Sequence, residues 1–198
     1  MSLTYYEAKE RARRLLNITE TKTSDYVIGG IRIDSDLANQ LVKVSTEIVQ
    51  QLDIGEVAES SRILSAIPRS LKLVYDFDPS EIAYIGGFSK LEHVMERLRR
   101  SFKENPKAEI AVLYGPPGTG KTTWGRYVAR KLVYDEGEGV FKGLYVEVRV
   151  SDLVSPYVGM SARIADALIN MVSSIAEKHP VVVLFDEADA LVSRNVAT

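Results

Sequence analysis

The octet Gly115-Pro-Pro-Gly-Thr-Gly-Lys-Thr122 decides how this chain is read. It fits the spacing G-x-x-x-x-G-K-[ST] and stands between an apolar run, Glu109 to Tyr114, and a helical pattern, Lys121 to Tyr134. Each residue type has a physical reason. Glycines let backbone N–H groups turn inward toward an anion, and the positive end of the following helix strengthens that field. Lys121 is suited to bringing its ammonium to the β- and γ-phosphates of a nucleotide, and the Thr122 hydroxyl to ligating Mg²⁺. Gly118 and Thr119 complete the cradle. Pro116, Pro117, Gly120 and Thr123 belong to the same contact stretch. A Gly/Pro turn ahead of a helix would share the glycines, but the strand before and the helix after are the context a phosphate-binding loop requires.

Val181-Val-Val-Leu-Phe-Asp-Glu187 supplies the second half. An apolar strand ending in two acids puts Asp186 at the carboxyl edge of a parallel sheet, where nucleotides sit in such folds. Asp186 is then the Mg²⁺ partner through water, and Glu187 polarises the attacking water. A small-molecule kinase has little use for a second acid aimed at water, whereas a hydrolase does. The structural alternative is an acidic helix N-terminus formed by Asp186, Glu187 and Asp189.

Working outward, three runs suit buried parallel strands: Glu109 to Tyr114, Leu144 to Val150 and Val181 to Phe185. Helical segments separate them, including Ser161 to Lys178 with Ile164, Leu168, Met171 and Ile175 on one face. This alternation predicts an α/β domain with a parallel sheet and flanking helices. The preceding region is a small, mainly helical α+β unit. Thr4 and Glu7 have capping-box spacing for a helix to Ile18, Tyr26 to Ile33 reads as a bent strand or tight hairpin, and Asp36 to Asp53 is amphipathic. Glu56 to Ile67 reads as a helix ending at Pro68, and Leu71 to Tyr75 as a short strand. Ser89 and Glu92 have capping-box spacing for a further helix. The expected division is residues 1–77 as an N-terminal recognition region, 78–88 as linker, and 89–198 as the nucleotide module.

Composition narrows the function classes. The chain has 198 residues with 25 Lys+Arg against 27 Asp+Glu, a net charge of -2, which disfavours nucleic-acid binding through bulk positive charge. Its 45% hydrophobic and 26% charged residues are those of an ordinary globular protein. No apolar run approaches the roughly 20 residues that span a bilayer, and the charged N-terminus is unlike a signal peptide. With no cysteine, thiolate metal sites and Cys nucleophiles are excluded, and a cytoplasmic location is the expectation. His93 and His179 suggest no metal site.

GPPGTGKTT, FDEADAL and their order closely resemble the AAA+ ATPases, in particular the AAA subgroup that unfolds or remodels proteins; the resemblance covers Ala83 to the C-terminus. It implies a P-loop NTPase sheet, ATP and Mg²⁺ as cofactors, a protein substrate and a homo-oligomeric ring, six subunits by family expectation. It also implies adenine contact at Ile85-Gly86. Tyr157-Val158-Gly159 resembles the aromatic-hydrophobic-glycine pore loop that grips a threaded polypeptide, against the blander reading of a strand-to-helix turn. The long link Val133 to Lys142 resembles that of AAA proteins remodelling HORMA-domain partners, though a tolerated surface insertion also accounts for it.

Two rival readings share these motifs: an AAA+ ATPase acting on DNA, disfavoured because Ser151 to Met160 holds no basic residue, and a nucleotide-binding scaffold without turnover, disfavoured by Glu187. The family's sensor residue, arginine finger and helical lid have no counterpart in the 11 residues after Glu187; Arg194 and Asn195 stand too early for them. The family's missing strand lies between the first and third strands read here, and without it each unpaired backbone group costs about 1–3 kcal/mol. The expectation is a C-terminally incomplete module that hydrolyses ATP poorly or not at all by itself.

Overall fold

The capping box at Thr4 and Glu7 forms as expected. In this computed structural model, which describes residues 3–22, 25–51, 57–84, 88–104, 109–149 and 160–188, the Thr4 hydroxyl accepts from the Glu7 backbone N–H and the Glu7 carboxylate accepts from Thr4 N at 2.9 Å. Two of the four orphan donors of the helix end are thereby satisfied. Helix α1 spans Tyr5–Leu15 and buries Ala8 and Ala12. The chain then makes β1 (Ile18–Glu20), β2 (Tyr26–Ile28) and β3 (Ile31–Ile33), with β2 and β3 the hairpin read at Gly29-Gly30.

Helix α2 (Ser35–Gln51) follows, and α3 runs unbroken from Val57 to Tyr75. This corrects two expectations: Pro68 does not end the helix, and Leu71 to Tyr75 is helical rather than a strand. Packing outweighs the local penalty. A proline inside a helix costs about 3 kcal/mol, whereas α3 buries Ile63, Leu64, Ile67, Leu71 and Val74 on one stripe, on the order of 10 kcal/mol of apolar burial.

Residues Pro79–Tyr84 form a 3₁₀ turn, and α4 spans Phe88–Glu104. Ser89 therefore lies inside the first turn of α4 rather than capping it. Helix α5 (Lys121–Val133) follows the phosphate loop, and Tyr134–Asp135 (β4) and Val140–Phe141 (β5) form a hairpin. Strand β6 (Leu144–Arg149), α6 (Met160–Ala176) and β7 (Val181–Asp186) complete the described elements.

Two sheets result. Strands β6 and β7 pair in parallel over six residues, from Leu144↔Val181 to Arg149↔Asp186. The other five strands lie in the order β1-β2-β3-β5-β4. Its joint is the parallel pair Ile33↔Phe141, where the Asp34 N–H also donates to the Phe141 carbonyl at 2.9 Å. The link 133–142 is thus not a loose surface insertion: Val140 and Phe141 are buried, and the hairpin extends the N-terminal sheet. One apolar core runs from Ile28 and Leu41 through Leu64 and Leu71 to Tyr145 and Met171. A smaller cluster joins Phe77, Ile82 and Leu98 to Trp124 and Val128 of α5.

The third expected strand does not form. Residues 109–114 form neither strand nor helix and have no ladder partner among the described residues, and Ile110, Val112 and Tyr114 are 83%, 79% and 94% exposed. Strand propensity needs a neighbouring backbone to hydrogen-bond and a surface to pack on; here no described backbone pairs with the segment, and Leu113 packs against the smaller apolar cluster while Ile110, Val112 and Tyr114 face solvent. The outer edge of β6 is covered differently: α3 lies along it, and the Glu147 N–H donates to Ser70 Oγ at 2.9 Å. A side-chain oxygen thereby takes the place of a ladder acceptor.

Register between β6 and β7 starts at a close approach. Leu144 N donates to the Pro180 carbonyl at 2.8 Å, and a Cβ on Gly143 would lie 2.3 Å from that same oxygen. Gly143→Ala should therefore destabilise the protein by about 2 kcal/mol or more in urea denaturation. Gly137→Ala, whose Cβ would meet only Asp135 Oδ1 at 3.4 Å, should lie close to neutral.

Candidate functional site

The phosphate loop is built by backbone choices that glycine permits. Gly118 and Gly120 take φ of 75° and 84°, in the left-handed region, and Gly120 is the N-cap of α5. Gly120 also accepts from Trp124 N at 2.8 Å, so the helix starts as the loop ends. The first-turn N–H groups of this 13-residue helix then face the loop, with the positive end of its dipole. Thr119 Oγ1 donates to the Pro116 carbonyl at 2.9 Å and pins the bend. Lys121 Nζ donates to the carbonyls of Gly115 and Pro116 at 2.9 and 2.8 Å. The loop is therefore curled around an ammonium at its mouth, with the lysine's third donor left for an incoming anion.

The decisive contact crosses the fold. Thr122 Oγ1 lies 3.2 Å from both carboxylate oxygens of Asp186, which ends β7. A hydroxyl and a carboxylate brought together beside a helix N-terminus make a hard-oxygen pair suited to Mg²⁺, with nucleotide phosphates and water completing its shell. The donor set fits MgATP: backbone N–H groups and an ammonium for phosphate oxygens, oxygens for the cation.

Glu187 follows at φ 57°, and its N–H donates to Asp186 Oδ1 at 3.1 Å. A left-handed residue without glycine costs on the order of 1 kcal/mol, and such strain clusters at functional positions. Here it breaks the strand alternation that would send successive side chains to opposite faces. Glu187 is exposed at the edge where Asp186 ends β7.

Sequence reasoning named Gly115 to Thr123, Asp186 and Glu187, and the structure gathers these at one end of β7 and α5. Ile85 and Gly86, expected at adenine, and Tyr157, Val158 and Gly159, expected in the pore loop, lie outside the described residues. What the reading missed is a polar network behind the loop. Arg126, on α5, forks onto Glu147 with Nε and Nη2 at 2.9 and 2.8 Å, and the Tyr145 hydroxyl donates to the same carboxylate at 2.8 Å. Glu147 is 6% exposed. An acid centred in the apolar run LYVEVRV was the available signal, since a carboxylate on a buried strand demands a partner.

A family model described as "ATPase family associated with various cellular activities (AAA)" matches residues 111–198. Residues 111–198 belong to the AAA ATPase family. Similar proteins extend the comparison. The chain is 28% identical to the proteasome-activating nucleotidase 2 of Haloferax volcanii, covering 96% of this chain and 47% of that protein. It is 31% identical to the 26S proteasome regulatory subunit S10B homolog B of Arabidopsis thaliana, over 67% of this chain and 34% of that one. It is 36% identical to an AAA ATPase forming ring-shaped complexes from Kocuria rhizophila, over 52% and 18%. The chain thus spans less than half the length of these relatives. No solved structure matches it. No helix among the described residues is long and apolar enough to cross a membrane.

The buried acid behind the AAA loop yields a pH prediction. Burial pushes the Glu147 carboxyl up, but the Arg126 fork and the Tyr145 hydroxyl outweigh it and hold the group below its ordinary 4.5. A lowered folded value contributes stability that is present above the unfolded value and lost as pH falls through the folded one. The stability gap between the parent protein and Glu147→Gln should therefore be widest above about pH 5 and narrow toward about pH 3, read by denaturation at a series of pH values.

Proposed function

We propose that the chain binds MgATP in the loop Gly115 to Thr123 and hydrolyses it as part of a ring-forming ATPase that unfolds or remodels proteins. The contact of Thr122 with Asp186 carries the reading, because it joins the two halves of a nucleotide site. Lys121 binds the β- and γ-phosphate oxygens, releasing the loop carbonyls it now holds. Thr122 and Asp186 orient the cation, Thr122 directly and Asp186 through water. A Mg²⁺ ion held there would supply positive charge against the negative charge that develops on transfer. Glu187 holds the attacking water and takes its proton as the bond to the γ-phosphorus forms and the bond from that phosphorus to the β-phosphate oxygen breaks, with ADP as the leaving group.

The wider function rests on the relatives. The Haloferax protein is named for activating the proteasome and the Kocuria one for forming rings, and both descriptions fit an ATP-driven machine acting on protein. Ring assembly, with six subunits as the family expectation, would align Tyr157, Val158 and Gly159 around a pore, where an aromatic face packs on any polypeptide. Ile85 and Gly86 would close on adenine. Residues 1–77 would recognise the substrate or an adaptor, with 78–88 leading into the ATPase module at 89–198. A cytoplasmic site of action agrees with the cysteine-free sequence.

Substitutions separate the steps. Lys121→Ala should weaken ATP binding roughly 10- to 100-fold, the range for losing a charged hydrogen-bond donor. Glu187→Gln should retain ATP while cutting hydrolysis by about 100-fold or more, as rapid-quench assays would show. Tyr157→Ala in the assembled protein should keep ATPase activity and lose ATP-dependent unfolding of a tagged substrate. Unfolding that survives Tyr157→Ala rejects the pore-loop assignment.

A further inference from the structure

Thr122, Arg126 and Arg130 recur every fourth residue of α5 and so share one stripe of that helix. Each is tied to a different element. Thr122 meets Asp186 at the end of β7. Arg126 forks onto Glu147 of β6, whose N–H reaches Ser70 of α3. Arg130 makes the densest junction. Its Nη1 donates to the carbonyls of Val74 and Tyr75 at 2.8 and 2.7 Å, and at 3.4 Å to that of Phe77. Its Nε and Nη2 fork onto Glu136 in the β4–β5 hairpin at 2.5 and 2.9 Å, and its guanidinium carbon lies 4.8 Å from the Tyr134 ring centroid. The side chain is only 11% exposed. One guanidinium thus closes the last carbonyls of α3, orphaned at any helix end, and fastens α3 and the hairpin to α5.

Geometry makes this more than a brace. Arg130 lies eight residues, about 12 Å, down the helix from Thr122. Arg126 and Arg130 are both anchored off the axis on one stripe and both oppose a turn of α5, and Arg130 is the anchor that fastens this stripe to the end of α3. A turn of about 10° would carry a side-chain atom 5–6 Å from the axis by about 1 Å, enough to take the 3.2 Å contact of Thr122 with Asp186 out of hydrogen-bond range.

We propose that Arg130 is a positioning residue for the cation half of the nucleotide site and makes α3 a lever on it. Through Arg130 the last turn of α3 sets the rotation of α5, and with it the approach of Thr122 to Asp186. By linkage the effect runs both ways: filling the site changes the packing of the α3 end, and loosening that end weakens cation-dependent binding. The inference rests on the MgATP reading of this site.

The test measures ATP affinity with Mg²⁺ and with EDTA, together with amide exchange of residues 70–77 with and without nucleotide. For Arg130→Ala, the gain in affinity that Mg²⁺ confers should fall by about tenfold, while affinity in EDTA stays within about twofold. A merely structural role would lower both affinities alike. Arg130→Lys, which keeps a cation for the α3 carbonyls, should recover most of the loss. Glu136→Gln releases the fork without removing the arginine and gives a milder loss in the same direction, so the test stands even if Arg130→Ala folds poorly. In the parent protein, MgATP should slow exchange at residues 70–77, and Arg130→Ala should abolish that response. An undiminished Mg²⁺ gain in Arg130→Ala and Glu136→Gln, or unchanged exchange at 70–77 on binding, overturns the coupling alone. Absence of ATP binding by the parent protein overturns the site reading and the coupling with it.

Discussion

The contact between Thr122 and Asp186 joins residues 64 positions apart, and the rest of the described structure bears on it. Asp186 reaches the site because β7 pairs in full register with β6 and stops there. That register begins where Gly143 passes the Pro180 carbonyl too closely for a side chain. Thr122 reaches the site because Gly120 turns the chain into α5 with a left-handed φ. Two tight backbone passages, both reserved to glycine, thus bring a hydroxyl to a carboxylate where phosphate and cation chemistry becomes available.

What holds α5 on the other side is the region before residue 78. Helix α3 covers the outer edge of β6, lends Ser70 to its backbone, and ends on Arg130. The hairpin 134–141 closes the other flank by pairing with β3. The energetic order is clear. Apolar burial along α3 is large enough to carry the helix through Pro68, and the polar junctions then choose one arrangement among the many that burial alone would accept. The cost is that Glu147 and Arg126 depend on each other. Removing Arg126 strips the buried Glu147 carboxylate of its charged partner, a heavier penalty than the pair's net contribution.

Legibility followed the range of the physics. Gly115 to Thr122 could be read because each residue's role is local and the spacing leaves little freedom. Thr4 with Glu7 could be read for the same reason. Asp186 and Glu187 were legible from an apolar strand ending in acids, though not the left-handed turn at Glu187. Residues 109–114 were misread because composition reports what a strand would bury, not whether a neighbour exists. Pro68 was misread because a proline rule counts one lost hydrogen bond and not the stripe packed on β6. Arg126 and Arg130 were invisible because their partners stand 21 residues away on β6 and as many as 56 away on α3. Glu147, an acid inside an apolar strand, was the clue that partners had to exist.

The central claim is that Thr122 and Asp186 hold a cation together with bound nucleotide. Manganese in place of magnesium tests it directly, because free Mn²⁺ is counted by electron paramagnetic resonance. The account predicts that the protein retains about one Mn²⁺ per chain only when ATP is present, and that Thr122→Val, which keeps the shape and removes the hydroxyl, releases it while ATP stays bound. Manganese held as tightly by Thr122→Val as by the parent protein, or held without nucleotide, would contradict it.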